Sequence, residues 1–74
     1  MKADIIEMIN QIRTFKGMPE MLNVTESTRL REDLGLTSFD LAELTVRIED
    51  KYGVDVFEDG LVYTIGEIYT KLQN

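Results

Sequence analysis

Apolar residues recur at helical spacing in three stretches of this chain. Ile5, Met8, Ile9, Ile12 and Phe15 follow one another at three- and four-residue steps and make one stripe of a first helix, about Asp4 to Lys16. Asp4 is placed as its N-cap, Glu7 completes a variant of the capping box, and Gly17 with Pro19 beyond supplies the stop. Leu41, Leu44, Ile48 and Tyr52 form the stripe of a second helix, about Ser38 to Tyr52, with Thr45 at its edge. Thr37 is its N-cap with Asp40 at the third helical position, Leu36 and Leu41 are spaced as a hydrophobic staple, and Gly53 ends it. Ile65, Ile68, Tyr69 and Leu72 define the inward face of a last helix, from Thr64 to about Gln73. Thr64 and Glu67 are spaced as its capping box, Tyr63 and Ile68 as its staple.

The connections are unequal. Met18 to Leu36 is long for a compact domain, and connections of that length are often functional. Met21, Leu22, Val24, Leu30 and Leu34 are its candidate anchors, and Leu30 to Leu34 is compatible with a single turn. Val54 and Val56 alternate with Asp55 as in a strand. One isolated segment makes no sheet, so an extended linker with a short turn at Glu58 to Val62 is expected. The pattern predicts an all-α fold, a small antiparallel helical bundle forming one domain over residues 1–74.

Composition narrows the chemistry. With 74 residues, the domain buries a modest core. It has neither cysteine nor histidine, which removes disulfides, thiolate metal sites, the commonest general base and every Ser/His/Asp or Cys/His arrangement. Fourteen acidic residues against eight basic ones give a net charge of −6. That balance disfavours nucleic acid and anionic membrane surfaces, and favours basic protein partners. The N-terminus lacks the pattern of a signal peptide and no apolar run is long enough to span a bilayer, so a cytoplasmic protein without membrane insertion is expected. The acidic groups Glu32-Asp33 and Asp55 with Glu58-Asp59-Gly60 do not match a calcium loop and read as solvated loops. The four methionines read as gap fillers, and Tyr63 and Tyr69 as packing residues with wet hydroxyls.

Candidate chemistry gathers in the run Leu34-Gly35-Leu36-Thr37-Ser38-Phe39-Asp40-Leu41-Ala42-Glu43-Leu44. A glycine-containing loop leads to a hydroxyl at the mouth of a helix, where backbone N–H groups and the dipole favour a phosphate. A serine at a helix start is ordinarily a capping residue. Here Thr37 takes the cap and leaves Ser38 at the first helical position, pointing outward. With no base in the chain to activate it, Ser38 suits the role of an acceptor better than that of a nucleophile acting alone.

The stretch Gly35-Leu36-Thr37-Ser38-Phe39 resembles the phosphopantetheine attachment site of acyl carrier proteins, Gly-x-Asp-Ser-Leu. The likeness is position by position from Leu30 to Leu44 and looser to Leu72. It outweighs the capping reading of Ser38. The resemblance implies a four-helix bundle with a long first loop and a short third helix of barely one turn. It implies 4′-phosphopantetheine on Ser38, donated by coenzyme A through a phosphopantetheinyl transferase, with acyl groups carried as thioesters on its thiol. The chain would then be a discrete monomeric carrier and not an enzyme, working in fatty-acid, polyketide or related biosynthesis. An aminoacyl or peptidyl carrier, or an unmodified acidic interaction module, are the alternatives. Two departures stand out: Thr37 where the family has Asp, and Phe39 where it has Leu. They suggest a specialised carrier rather than the housekeeping one.

At about 100° per residue, Phe39 and Val46 point away from the Leu41/Ile48 stripe, flanked by Ala42, Glu43, Glu49 and Asp50. Scattered exposed apolar residues are normal, and Glu43 with Arg47 is an ordinary i, i+4 pair. An apolar strip within acidic side chains also suits docking. In the resembled family this helix meets basic patches of acyl-transferring, ligase or synthase enzymes, which makes Thr37, Phe39, Asp40, Ala42, Glu43, Val46, Glu49 and Asp50 the expected partner-binding residues.

Overall fold

The computed structural model describes residues 2–73. It has three helices, α1 (Lys2–Phe15), α2 (Ser38–Tyr52) and α3 (Ile65–Gln73). The all-helical expectation holds, and the helix count is three rather than four among the described residues. The place of a short third helix is taken by a turn, in which the Glu58 amide donates to Asp55 O (3.2 Å) and the Gly60 amide to Phe57 O (3.1 Å). Both bonds span three residues, the Asp55 carboxylate accepts the Phe57 amide (3.0 Å), and Gly60 leaves helical space at φ 129°. An aspartate bonding its own backbone two residues on competes with helix propagation.

Each helix contributes one apolar face to a common core. Ile5, Ile9 and Ile12 meet Leu44 and Ile48 of α2 and Ile65, Ile68 and Tyr69 of α3, all buried. Leu41, Tyr52 and Leu72 pack against this cluster at its margin. Thr37 and Gly53 bound α2 as the sequence indicates. Thr37 is an extended N-cap, and Gly53 is a left-handed C-cap whose amide reaches Glu49 O.

Three expectations for α1 and its surroundings need correction. The helix is already formed at Lys2, so Asp4 lies in its first turn and is not the N-cap. There it complements the dipole, accepts the Tyr52 hydroxyl (3.1 Å) and pairs with Lys51 (3.4 Å). Phe15 is 86% exposed, because it lies roughly 100° from the centre of the Ile5/Ile9/Ile12 stripe. Leu22 is 81% exposed, since an extended chain that turns Met21 toward the core turns its neighbour out.

The long first connection is held from both sides. Two polar residues on α1 are buried and grip its backbone. The Asn10 amide donates to Met21 O (3.1 Å) and accepts the Met21 N–H (2.8 Å). Arg13 donates to Pro19 O from Nε (3.3 Å) and Nη2 (3.1 Å), and to Leu34 O from Nη1. Leu30 and Leu34 are fully buried, joined by the expected single turn, with Leu36 buried just after it. On the far side the connection caps α3. The Ile65 amide donates to Thr28 O (3.0 Å) and the Gly66 amide to Glu26 O (2.8 Å), while the Leu30 amide donates to Tyr63 O (2.9 Å). The first two are donors that a helix start leaves without an intrahelical partner. Thr64 serves the next one, accepting the Glu67 amide at 3.3 Å. An isolated antiparallel bridge between Arg29 and Thr64 marks this seam. Gly66 is required by the closeness of the chains: a Cβ there would stand 2.9 Å from Glu26 O. Tyr63, expected to staple α3, is exposed and contributes its carbonyl instead of its ring.

Candidate functional site

The mouth of α2 is built by a reciprocal set of hydrogen bonds. Gly35 turns the chain in the left-handed region (φ 69°), and Leu36 is buried beneath it. The Thr37 hydroxyl accepts the Asp40 amide (3.2 Å), and the Asp40 carboxylate accepts the Thr37 amide (2.8 Å). Lys16, just past α1, reaches the same carboxylate at 2.5 Å and Gly35 O at 3.4 Å. Burial alone raises the pKa of Asp40, but the Lys16 ammonium and the Thr37 donors outweigh it and hold the carboxyl below its ordinary value. Threonine thus keeps the cap geometry without a second carboxylate beside Ser38.

Ser38 is exposed at the first position of α2. Its Oγ accepts a hydrogen bond from Arg31 Nη1 at 3.3 Å. A hydroxyl partnered by a guanidinium gains no nucleophilicity, since a cation donates and takes no proton. Among the described residues no group of three or more acidic, His or Cys side chains is placed to hold a metal ion. The arrangement suits a hydroxyl that receives a group from another catalyst.

Beside Ser38 an open groove of about 360 Å³ runs along α2. Leu41, Ala42 and Thr45 form one wall, Asp55, Phe57 and Leu61 the other, and Arg31 and Ser38 line it as well. Sequence reading placed none of the far-wall residues at the site. The only available signal was an apolar Phe57 and Leu61 within an otherwise acidic turn. A second cavity, about 400 Å³, lies between α1 and α2 and is lined by Asp4, Glu7, Met8, Gln11, Arg47, Asp50 and Lys51; Ser38 takes no part in it.

The expected partner-binding residues divide. Phe39 (88% exposed) and Val46 (67%) stand on the outer face of α2, and Thr37, Ala42, Glu43, Glu49 and Asp50 are exposed as well. Asp40 is the correction: only 8% exposed, its carboxylate is consumed by Thr37 and Lys16 and faces inward. Glu43 accepts from Arg47 (2.7 Å), which also reaches Gln11 on α1 (2.8 Å).

Comparison with known proteins agrees with this geometry. The family described as "Phosphopantetheine attachment site" matches residues 17–69, which take in the first connection, the Ser38 turn, all of α2 and half of α3. An acyl carrier protein of Saccharopolyspora erythraea is 37% identical over 70 residues, covering 90% of this chain and 73% of that protein. The chain belongs to the acyl carrier proteins, whose domain is the site of covalent 4′-phosphopantetheine attachment. It is a carrier served by other enzymes and not itself a catalyst. No helix among the described residues is long and apolar enough to cross a membrane.

Proposed function

We propose that Ser38 is the attachment residue and that the chain shuttles acyl groups between cytoplasmic enzymes of fatty-acid, polyketide or related biosynthesis. The supporting observation is an exposed hydroxyl at the first helical position, beside a neighbour that already performs the capping. In the loading step a phosphopantetheinyl transferase supplies the base that takes the Ser38 proton. Ser38 Oγ bonds to the phosphorus carrying the pantetheine of coenzyme A, the diphosphate P–O bond breaks, and adenosine bisphosphate leaves. The attached arm supplies a terminal thiol that holds acyl groups as thioesters. The chain contributes position: α2 presents Ser38 to solvent, and its N–H groups and dipole favour the phosphodiester. With no cysteine in the sequence, no protein thiol competes for the acyl group.

Partner enzymes with basic patches dock on the acidic outer face of α2, with Phe39 and Val46 as apolar contacts and Glu43, Glu49 and Asp50 around them. The carrier acts as a monomer. Incubation with coenzyme A and a broad-specificity transferase, followed by intact-mass measurement, tests the reading. A gain of one phosphopantetheine that Ser38→Ala abolishes is expected; a gain that survives Ser38→Ala moves the site elsewhere, and no gain with several transferases leaves an unmodified interaction module.

A further inference from the structure

The eight basic residues of this chain differ in what holds them. Lys2, Lys16, Arg29, Arg47, Lys51 and Lys71 each pair with a carboxylate. Arg13 is buried against backbone carbonyls. Arg31 is the exception: among the described residues its side chain meets neither a carboxylate nor a carbonyl, only the neutral Oγ of Ser38 at 3.3 Å. In an acidic chain of net charge −6, an arginine left without an acidic partner is unusual. Two carboxylates that could have paired with it have other partners: Asp33 binds the Arg29 guanidinium and amide, and Asp55, which lines the same groove, accepts the Phe57 amide. Thr37 adds to the effect, because it caps α2 without setting a negative charge beside Ser38.

We propose that Arg31 is a positioning residue for the modified form: its guanidinium binds the phosphodiester created on Ser38 and directs the arm along the groove between α2 and the 55–61 turn. The inference rests on Ser38 being the attachment residue. Modification converts the weak neutral acceptor at Ser38 into an anion with two further oxygens, placed two bonds beyond the atom that Arg31 already contacts. A guanidinium presents several donors in one plane, so the present single long contact becomes a charge-assisted pair without moving the backbone. Arg31 and Ser38 both line the groove, so the pairing directs the first bonds of the arm between the Leu41/Ala42 wall and Phe57 rather than toward open solvent.

The test compares the unmodified and loaded proteins, with loading verified by intact mass. In nitrogen-labelled protein, exchange of the Arg31 guanidinium protons slows by about twofold to fivefold on modification, as expected for an exposed charge pair. Arg29 and Arg47 do not change, and added salt shrinks the effect. In the loaded protein the phosphorus resonance moves in Arg31→Gln and less in Arg31→Lys, which restores a point charge without the planar donors. Equal Arg31 exchange in the two forms overturns the inference while the attachment reading stands. If Arg31→Gln resists loading, the wild-type exchange measurement decides alone. Absence of any mass gain in the wild type refutes the attachment reading, and this inference with it.

Discussion

The two connections that flank α2 are held in opposite ways. The first runs from the end of α1 to Thr37 and is long, yet it is tied to the helices at several points along its length. Asn10 and Arg13 grip its backbone, Leu30 and Leu34 are sunk into the core, and Thr28 and Glu26 cap α3. The second runs from Gly53 to Thr64 and is short. Val56 and Val62 anchor it, Val54 and Phe57 pack at the core margin, and Tyr63 O accepts the Leu30 amide. Its turn, however, is held by two three-residue backbone bonds, the Asp55 side chain and the exposed Lys71–Asp59 pair, while Leu61 and the Tyr63 ring lie exposed. Length therefore says little about order in this fold; what matters is how many buried donors, acceptors and apolar side chains each segment commits. The arrangement suits a carrier. The rigid connection delivers Ser38 at a fixed helix mouth, and the lightly held one forms the far wall of the groove beside it.

The largest expected effect is on the first connection. Leu34→Ala opens a cavity in the core and costs about 3 kcal/mol, against roughly 2 kcal/mol for Val56→Ala, which deletes fewer atoms. Urea unfolding measures both, and a loss for Val56→Ala larger than for Leu34→Ala would show the second connection to be the more firmly anchored of the two. Hydrogen exchange reads it directly: the Leu34 and Gly66 amides are expected to be protected well beyond those of Glu58 and Gly60.

Gly66→Ala is expected to destabilise by about 1–2 kcal/mol, because the new methyl must displace the Glu26 carbonyl. Helix propensity alone argues for a gain of about 1 kcal/mol. The sign of the measured change therefore tells whether the seam between the first connection and α3 is as tight as 2.9 Å implies.

Asp40 gives the comparison a pH dependence. Its carboxyl titrates below its ordinary value in the folded state, so its contribution is complete above the unfolded value, about 3.9, and is lost as pH falls through the lower folded value. Asp4 and Asp33 are shifted in the same direction, by the Tyr52 hydroxyl and by Arg29 respectively. Asp40→Asn is therefore expected to reduce, and not abolish, the loss of stability between neutral pH and pH 3, measured as the urea midpoint at each pH.

The smallest effect on stability falls on the face that neither connection touches. Phe39→Asp should change stability by less than about 0.5 kcal/mol and weaken binding to partner enzymes. A large loss of stability would show that Phe39 packs in solution, despite its 88% exposure.

Much of the site was legible in advance because its signals are local. A capping box needs only residues three apart, so Thr37, Asp40 and the outward Ser38 could be read from the chain. The outer strip of Phe39 and Val46 followed from helix geometry alone. The same reasoning misplaced Asp40 on the partner surface. Its position near the helix start gave its cap role, but the Lys16 ammonium that seals it comes from another element. Arg31, Phe57 and Leu61 were missed at the site for the same kind of reason, since seven residues or more separate each from Ser38 along the chain.

The linear order of residues determined the three helices, the caps of α2 and all of the inward stripes but Phe15, because periodicity and end chemistry act over one or two turns. Only the assembled fold decided that Asn10 and Arg13 are buried ties, that Asp40 faces inward, that the 55–60 segment stops at a turn, and that Arg31 comes to rest on Ser38. Those outcomes depend on which groups meet across the core, and partners far apart in sequence leave no local spacing to read.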